Sequence, residues 1–501
     1  MSRVLNKKLR KKITTAEEAA AFIKPGHNVG MSGFTGAGYP KEVPAALAKR
    51  IKGAHDRGED FMIGLWTGAS TAPELDGTLA EVDGISFRTP YQSDPIMRNK
   101  INQGVSEYTD IHLSHLAPMI WAGAMGKLHT AVIEVTAIKE DGLLVPSSSV
   151  GNNKTFLDRA DQIILEVNSW QSSDLEGMHD IYYGTRLPPG RQPVMLTHTG
   201  DRIGQRNYNV DLDKVVAVIE TDAEDRNTPF KPADDDSKKM AGFFLEFLTH
   251  EVKKGRLPKD LLPLQSGVGN VANAVLAGLM DGPFNYLTSY TEVIQDGMVD
   301  LIDAGKMSVA SATAFSLSPP YAEKMNENAR YYRDKIVLRP QEISNHPEMI
   351  RRLGVIACNG MIEADIYGNV NSTHVMGSRL QNGIGGSADF TRNAFISAFV
   401  TPSVAKGGAI SCIVPMVSHH DHTEHDVQVL ITEQGLADLR GKSPKQRAQL
   451  IINNCAHPDF RPMLHEYLDH AMKVANGMHT PHDLRQAHSW HVRFLETGSM
   501  K

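Results

Sequence analysis

Cysteine is scarce in this sequence of 501 residues, and its three cysteines, Cys358, Cys412 and Cys455, lie far apart. Their spacing supports neither a disulfide framework nor a zinc site of the CxxC type. Low use of cysteine is typical of a reducing compartment, so we expect a cytoplasmic protein. No run of about 18 apolar residues occurs, and the basic residues 1–12 lack the apolar stretch of a signal peptide. We therefore expect neither a membrane span nor a secretory leader.

Positive charge is not in excess either. The 52 Lys and Arg residues stand against 58 Asp and Glu residues, which leaves a net charge of −6. Nucleic-acid-binding proteins usually carry clustered positive charge, so this class is disfavoured. The composition, 41% hydrophobic and 22% charged, is typical of a globular protein. At about 150 residues per domain, the length predicts two to four domains.

The order strand, glycine-rich loop, helix recurs along the chain and is typical of parallel α/β units. In the first half, an extended stretch over 27–31 leads into Ser32-Gly-Phe-Thr-Gly-Ala-Gly38 and a predicted helix over 41–51. The second half repeats this order with a strand over 261–265, Ser266-Gly-Val-Gly-Asn270 and a helix over 271–280. A polar, proline-bearing stretch over 222–238 separates the halves and is typical of a linker. We predict two tandem α/β domains, 1–230 and 231–501.

A first candidate site is Gly267-Val-Gly269-Asn-Val-Ala272, between a predicted strand and helix, with Glu292 closing the next strand (286–291). This pattern matches the dinucleotide fingerprint GxGxxG/A, in which an acid some twenty residues later binds a ribose. The backbone amides at the start of such a helix bind a pyrophosphate or another anion. A tight strand–helix turn without a ligand fits the same spacing.

A second candidate is Asn382-Gly-Ile-Gly-Gly386-Ser-Ala-Asp389, before a predicted helical stretch over 391–398. Its glycines let the backbone approach a ligand closely, or leave amides pointing into a cavity. Such amides suit a developing oxyanion as well as a phosphate. An ordinary turn is the alternative.

A third candidate is the run of histidines and acids over 419–426. Within it, His420-x-His422-x-Glu424-His425 resembles the HxHxDH metal motif of the metallo-β-lactamase group, with Glu in place of Asp. Histidine and carboxylate groups bind Zn²⁺ or Fe²⁺. That group carries its motif early in the chain, however, with further ligands well downstream, whereas little sequence follows here. We favour a polar loop that lines a substrate cavity, and no metal.

Five stretches together resemble the acetyl-CoA hydrolase/transferase family, within the class I CoA-transferases. They occur in the family's order and are Ser266-Gly-Val-Gly-Asn270, Tyr290-Thr-Glu-Val293, Gly383-Ile-Gly-Gly-Ser-Ala-Asp-Phe390, Asp421-His-Thr-Glu-His-Asp426 and Thr432-Glu-Gln-Gly-Leu-Ala-Asp-Leu-Arg-Gly441. The resemblance covers nearly the whole chain. It implies two related class I CoA-transferase-like α/β domains with the active site between them, the C-terminal domain carrying the catalytic glutamate.

The resemblance also implies a chemistry, the exchange of CoA between carboxylic acids. Glu292 would attack an acyl-CoA to give a mixed anhydride and then a glutamyl–CoA thioester, which is covalent catalysis with ping-pong order. Backbone N–H groups near Val268 and at Gly386 match the family's donors to the oxyanion of each tetrahedral intermediate. Coenzyme A is a substrate here, and no metal and no redox cofactor is expected.

Further positions match the family's binding residues. For the carboxylate these are Ser70, Arg226, Asn345 and Glu433, with Arg226 the natural ion-pair partner of the acid; a surface ion pair is the alternative for that arginine. Lys406 is the cation suited to a CoA phosphate. The full set that the resemblance implies for CoA is Gly267, Val268, Gly269, Asn270, Val271, Ile362, Asn382, Gly386 and Lys406.

The resemblance favours succinyl-CoA and acetate as the substrate pair. Propionyl-CoA with succinate is an alternative, and so is an acyl-CoA hydrolase in which water resolves the intermediate at the same site. Acyl-CoA and small carboxylates are then the partners, with neither nucleic acid nor membrane, and a homodimer in acetate and tricarboxylic acid metabolism is expected. A nicotinamide oxidoreductase and a metallohydrolase remain alternatives from other classes.

Overall fold

The structure is a computed structural model that describes residues 2–227, 233–267 and 269–501. Residues 2–227 form seven α-helices and ten strands. The helices are α1 (Lys7–Arg10), α2 (Ala16–Ala20), α3 (Glu42–His55), α4 (Thr78–Glu81), α5 (Pro95–Asn102), α6 (Leu113–Trp121) and α7 (Asn153–Arg159). The strands are β1 (Asn28–Met31), β2 (Phe34–Thr35), β3 (Ile63–Trp66), β4 (Ala69–Ser70), β5 (Ile85–Thr89), β6 (Glu107–Tyr108), β7 (Thr130–Ile138), β8 (Leu144–Pro146), β9 (Gln162–Asn168) and β10 (Val215–Thr221).

The middle of the chain continues the alternation of helices and strands. Its elements are α8 (Asp235–Lys253), β11 (Leu264–Ser266), α9 (Asn270–Asp281), β12 (Leu287–Tyr290), β13 (Val293–Gln295), α10 (Asp296–Asp303), β14 (Met307–Ala312), β15 (Ala314–Ser316), α11 (Pro319–Glu327), α12 (Ala329–Tyr332), β16 (Ile336–Leu338), α13 (Gln341–Ser344) and α14 (Pro347–Leu353).

The last part of the chain contains short strands followed by three longer helices. Its elements are β17 (Ile356–Gly360), β18 (Glu363–Asp365), β19 (Val370–Asn371), β20 (His374–Val375), β21 (Arg379–Leu380), α15 (Ser387–Asn393), β22 (Ile396–Val400), β23 (Val404–Ala405), β24 (Ile410–Ser411), β25 (Ile413–Val414), β26 (Val429–Thr432), β27 (Gly435–Asp438), α16 (Pro444–Cys455), α17 (Arg461–Val474) and α18 (Ser489–Thr497).

The first compact unit combines Met1–Pro229 with Thr288–Leu353. Its main sheet has the order β10-β9-β7-β1-β3-β5-β6, and the neighbouring strands on this path run parallel. Buried aliphatic residues of β1, β3 and β7 pack against those of α3, and Val29, Leu47, Leu65 and Val132 have no exposed surface. The sheet therefore has the buried, nearly continuous apolar strands that are typical of a parallel α/β fold.

The second unit combines Phe230–Leu287 with Gly354–Lys501. Its strands β11, β17, β22 and β26 lie side by side and run parallel, and β27 closes the edge antiparallel to β26. Its core includes Phe399, Leu430, Ile451 and Leu464. Both units therefore contain parallel sheets with helices, which confirms the predicted α/β class.

The predicted division into the domains 1–230 and 231–501 stays a prediction. In the structure, residues 288–353, and with them Glu292, are grouped with the first compact unit. The reason lies in backbone hydrogen bonds to the N-terminal part: Val150 N donates to Thr313 O at 2.8 Å, and Phe315 N donates to Ser148 O at 3.0 Å. The predicted active site between two domains stays a prediction.

Most predicted elements lie close to those observed, and their caps explain where they begin. The backbone N–H groups of Lys41 and Val43, at the start of α3, donate to the Glu166 carboxylate of β9, both at 2.7 Å. Burial raises the pKa of Glu166 to about 7, although these amide donors lower it. At the start of α8, Asp234 accepts from Ser237 N at 2.8 Å.

The predicted helix over 391–398 is wrong beyond its first turn. Helix α15 ends at Asn393, and 396–398 belong to strand β22, whose residues are all buried. Phe395 N donates to Val355 O at 2.8 Å, which marks the entry into the sheet. The apolar residues of this stretch pack as a fully buried strand. A short run of apolar residues in the sequence does not by itself distinguish such a strand from a buried helix. Among the described residues, no helix has the length and apolarity needed to cross a membrane.

Candidate active site

Glu292 lies in the bend between β12 and β13, at the carboxyl end of β12 as predicted. Its backbone carbonyl accepts from Thr313 N at 2.9 Å and from Ala314 N at 3.3 Å, which fixes the bend against the start of β15. The residue is half-buried. Parallel α/β sheets place ligands outside the carboxyl ends of their strands, so this is a suitable place for a reacting carboxylate.

Asn345 holds the Glu292 carboxylate from the end of α13. Its Nδ2 donates to Glu292 Oε1 at 2.9 Å, and its Oδ1 accepts from Ser344 Oγ at 2.8 Å. Because the Ser344 hydroxyl donates to the amide oxygen of Asn345, the amide nitrogen of Asn345 faces the Glu292 carboxylate. Asn345 has no exposed surface, so its side chain has little freedom to turn. The structure thus brings together two of the predicted site residues.

An apolar cluster lies beside this pair. It comprises Phe34, Ala69, Leu113, Val293 and Ala314, with Tyr91 packed against it. Burial raises the pKa of Tyr91 to about 12, and the negative charge of Glu292 contributes in the same direction. The charge of Glu292 therefore acts through a medium of low polarity, where electrostatic interactions are stronger than in water.

Ser70 and Arg226, predicted to bind the carboxylate substrate, both contact one turn of the chain, the π-helical segment Pro73–Gly77. Ser70 Oγ donates to Asp76 Oδ2 at 2.8 Å in a fully buried site. Arg226 Nη1 lies 3.1 Å from Glu74 Oε1, and 72% of the arginine side chain is exposed. This ion pair matches the alternative given for Arg226, and it leaves most of the guanidinium accessible to solvent.

Asp76 and Glu74 are therefore functional candidates that the sequence analysis missed. Asp76 also accepts from Arg88 Nε at 2.8 Å, and neither side chain of that pair is exposed. Burial raises the pKa of Asp76 and outweighs Arg88 and Ser70, which lower it, so the pKa is raised overall. The segment Pro-Glu-Leu-Asp-Gly over 73–77 follows Ser70 closely, but nothing in its spacing predicts a π-helical turn that aims both acids at predicted site residues.

In the second unit, the predicted CoA-binding glycine turn joins β11 to α9. Gly267 N donates to Cys358 O at 2.9 Å, so this amide is used within the fold. Gly269 precedes the helix with a φ of +141°, a conformation that favours glycine, and no side chain of the described residues caps the helix start. Asn270 and Val271 open the helix and are half-buried. Val268 lies outside the described residues.

The loop before α15 contains the predicted residues Asn382 and Gly386. Asn382 Nδ2 donates to Ser372 O at 3.1 Å and to Gly383 O at 2.9 Å, and Gly386 is the residue that precedes the helix. Ser387 Oγ lies 3.1 Å from His422 Nε2. Only 3% of His422 is exposed, so this buried histidine supports the loop through its contact with Ser387.

The other predicted residues of this unit are spread over separate turns. Ile362 is half-buried and donates its N–H to Asn371 O at 2.8 Å. Lys406 is exposed, with its Nζ 5.1 Å from the centre of the Phe494 ring. Glu433 accepts from Ser403 N at 2.7 Å. Burial raises the pKa of Glu433, but the hydrogen bonds that its carboxylate accepts outweigh burial, so the pKa is lowered overall.

The histidine run is held by hydrogen bonds within the fold. Asp421 accepts from Ser372 N at 2.6 Å and from Thr373 Oγ1 at 2.8 Å. The rings of His374 and His419 lie 3.9 Å apart. Within residues 2–227, 233–267 and 269–501, no three His, Cys, Asp or Glu side chains are grouped so that they could hold a metal ion.

The chain shares its sequence with known enzymes along nearly its full length. The acetyl-CoA hydrolase/transferase N-terminal domain matches residues 1–255, and the C-terminal domain of the same family matches residues 322–468. The chain is 50% identical to the succinyl-CoA:acetate CoA-transferase of Clostridium kluyveri, over 100% of this chain and 92% of that protein. It is 46% identical to the propanoyl-CoA:succinate CoA transferase of Escherichia coli, over 97% and 98%.

Hydrolases and solved structures are also similar. The acetyl-CoA hydrolase of Candida glabrata is 45% identical, over 98% of this chain and 95% of that protein. The crystal structure of RipA from Yersinia pestis has a TM-score of 0.72 at 23% identity, over 94% of this chain and 99% of that one, which shows a shared fold. Two family domains and three relatives near half identity lead to one conclusion: this chain is a member of the acetyl-CoA hydrolase/transferase family.

Proposed function

We propose that the protein is a CoA-transferase that moves CoA from succinyl-CoA to acetate, with Glu292 as the covalent carrier. The observation that carries this proposal is the pair of Glu292 and Asn345, at the end of a buried strand and beside an apolar cluster. A carboxylate is the carrier that this chemistry needs, because its own thioester is nearly equal in energy to the substrate and product thioesters.

The reaction proceeds through four displacements at acyl carbon. Glu292 attacks the succinyl-CoA carbonyl, which forms a mixed anhydride and releases the CoA thiolate. The thiolate attacks the glutamyl carbonyl of the anhydride, which forms the glutamyl–CoA thioester and releases succinate. Acetate attacks this thioester and expels the thiolate, which then attacks the acetyl carbonyl and restores the Glu292 carboxylate. The order is ping-pong.

Each side chain of the site has a part in this sequence. Asn345 orients the Glu292 carboxylate for attack, and the backbone N–H groups at Val268 and Gly386 donate to the oxyanions. The glycine turn at 267–271, with Ile362, Asn382 and Lys406, binds CoA. Ser70, Arg226, Asn345 and Glu433 form the carboxylate pocket. CoA contacts far from the thioester supply binding energy that is realised in the transition state.

The choice of acids rests on the relatives. The Clostridium kluyveri transferase at 50% identity supports succinyl-CoA and acetate. The Escherichia coli enzyme at 46% supports propanoyl-CoA with succinate as a second candidate, and the fungal hydrolase at 45% supports acetyl-CoA hydrolysis at the same glutamate. We further propose that no metal or redox cofactor takes part, and that a cytoplasmic homodimer serves acetate metabolism and the tricarboxylic acid cycle.

An acceptor panel tests the proposal. Succinyl-CoA, acetyl-CoA and propionyl-CoA are each offered with and without acetate or succinate, and the product thioesters and free CoA are measured separately. We expect succinyl-CoA with acetate to give acetyl-CoA much faster than free CoA forms, because a closed site excludes water from the anhydride. Release of free CoA at one rate, with or without acetate, would overturn the transferase in favour of the hydrolase.

A further inference from the structure

The segment 223–227 follows β10 and has a sequence typical of a linker. One of its residues, Asp225, is nevertheless buried and hydrogen-bonded within the fold. Asp225 is only 7% exposed. Its carboxylate accepts from Gly38 N at 3.0 Å, from Gln171 Nε2 at 2.8 Å and from Lys41 Nζ at 2.7 Å, and also from Ser148 Oγ. A buried carboxylate with four donors fixes the backbone on either side of it.

The lysine in this site joins two carboxylates. Lys41 Nζ lies 2.5 Å from Glu134 Oε2 as well as 2.7 Å from Asp225 Oδ1, and all three side chains are nearly inaccessible. Burial lowers the pKa of Lys41, but the charges of Asp225 and Glu134 more than offset this, so the pKa is raised. Removing one member of such a buried cluster leaves another charge without its partner.

The glycine loop 32–38, which includes Gly38, contacts the same segment at a second point. Gly36 N donates to Asn227 Oδ1 at 2.8 Å. A Cβ atom on Gly36 would lie 2.3 Å from the carbonyl oxygen of Arg226, closer than any atom tolerates, although the backbone φ of Gly36 is not in the left-handed region. The loop therefore fits the segment only because residue 36 has no side chain.

The side chain of Arg226 forms an ion pair with Glu74, which in turn contacts Tyr39. Glu74 Oε1 lies 3.1 Å from Arg226 Nη1, and Glu74 Oε2 accepts from Tyr39 Oη at 3.1 Å. Lys41 Nζ lies 4.2 Å from the centre of the Tyr39 ring. Contacts therefore connect Lys41 both to the backbone of Arg226, through Asp225, and to its guanidinium, through Tyr39 and Glu74.

We propose that the Arg226 anchor, defined as Gly36, Lys41, Glu134 and Asp225, is a positioning device that sets the affinity of the enzyme for its carboxylate substrates. This inference rests on the proposed function, in which Arg226 pairs with the acid. An arginine whose backbone is already held in one place binds a small carboxylate without first losing the freedom of a loop, so the anchor acts on binding of the acid. None of its members needs to touch the substrate.

Gly36→Ala tests the anchor without removing a charge. We expect the KM for acetate, at saturating succinyl-CoA, to rise about tenfold while kcat stays within about twofold, because uniform binding is lost and the chemistry at Glu292 is retained. Gly53→Ala is the matched control, since its Cβ would make only an ordinary contact of 3.6 Å with Arg57 in the same unit, and it should leave both constants unchanged. Melting temperatures establish that each variant is folded.

Asp225→Asn is the second variant and keeps the shape of the side chain while it removes the charge. We expect the same rise in KM, which keeps the inference testable if Gly36→Ala fails to fold. In an Arg226→Gln background, already raised in KM, adding Gly36→Ala should change the KM for acetate by less than about twofold, because the anchor acts only through Arg226.

The outcomes separate the inference from the proposed function. An unchanged KM in folded Gly36→Ala or Asp225→Asn overturns the anchor alone. The anchor is also overturned if Arg226→Gln has the wild-type KM, or if Gly36→Ala raises the KM equally in both backgrounds. Wild-type enzyme that forms no acetyl-CoA from succinyl-CoA and acetate overturns the proposed function, and the inference with it.

Discussion

At the scale of single residues, the hydrogen bond from Asn345 to Glu292 orients the group on which the proposed chemistry depends. Asn345→Ala removes a neutral donor to a charged acceptor, and we expect kcat to fall about 10- to 100-fold. Steady-state kinetics with succinyl-CoA and acetate measure this. Asn328→Ala, at an exposed asparagine after α11, is the control. A variant of Asn345 with wild-type kcat would contradict the orienting role.

The three cysteines are a second feature at this scale. All are buried, and burial raises the pKa of each thiol, Cys358, Cys412 and Cys455, to about 12. The thiolate is the reactive form, so we expect almost no reaction with a thiol reagent at pH 7.5 over minutes, and full reaction after unfolding in guanidinium chloride. Rapid loss of activity with labelling of one cysteine in the folded enzyme would contradict this assignment.

At the scale of elements, Glu251 ties the end of α8 to the strand β27 region. Its carboxylate lies 3.0 Å from Arg440 Nη1 and accepts from Arg256 Nε at 2.8 Å, and only 1% of the residue is exposed. The hydrogen bond from Arg256 and those from Arg440 lower the pKa of Glu251 to about 2, although burial alone would raise it. The two arginines therefore favour the charged form of this carboxylate.

The lowered pKa predicts a pH dependence with a definite sign. A depressed carboxyl pKa stabilises the folded chain at pH values above about 4.5, and this stabilisation is lost as the pH falls from about 4.5 towards 2. Glu251→Gln should therefore lower the free energy of unfolding by about 2 kcal/mol at pH 7 and by progressively less towards pH 3. Denaturant unfolding measures it, with Glu246→Gln on the exposed face of α8 as control. A difference that does not depend on pH would contradict the ion-pair explanation.

The elements also show where sequence reasoning succeeds. Local patterns predict β1, β12 and α9 to within about two residues, because a buried strand and a helix after glycine are determined by near neighbours. The stretch over 396–398 is wrong as a helix, since its place in the sheet is decided by the distant partner β17. Asp225 is similar: an acid in a polar stretch looks exposed, and only the fold brings Lys41 to it.

At the scale of the whole molecule, the sequence does not show that residues 288–353 fold with the N-terminal part. The contacts that decide this join Ser148 and Val150 to Thr313 and Phe315, more than 160 residues away. No periodicity in either segment encodes such pairing. The candidate site also depends on contacts between distant residues. The position of Glu292 at a strand end is predictable from its own strand. Its orientation by Asn345, and the turn that contacts Ser70 and Arg226, are not predictable from local sequence.

The histidine run provides a prediction for the whole molecule, because metal dependence is a property of the assembled enzyme. Asp421 and His422 of this run are engaged with Ser372, Thr373 and Ser387, and we expect activity to survive dialysis against a chelator. Elemental analysis of the purified protein should find no stoichiometric zinc or iron. Loss of activity that is restored by one added metal would contradict this.

Glu292 itself is tested first by substitution. Glu292→Gln keeps the shape of the side chain but replaces the carboxylate with an amide that cannot attack an acyl-CoA at a useful rate, so turnover should fall by about 10⁴-fold or more while CoA binding largely survives. Binding is measured by calorimetry, and mass spectrometry checks that the amide has not been deamidated. An active and intact Glu292→Gln enzyme would remove the proposed carrier.

The most direct test is to trap the covalent intermediate. Wild-type enzyme is incubated with succinyl-CoA and no acceptor, treated with borohydride to reduce the enzyme-bound thioester, digested, and analysed by peptide mass spectrometry. We predict that one carboxylate, that of Glu292, is reduced to the alcohol, and that addition of acetate before borohydride lowers the yield of this product, because acetate discharges the thioester. Reduction at any other carboxylate, or no modified peptide under conditions that support turnover, would contradict the account.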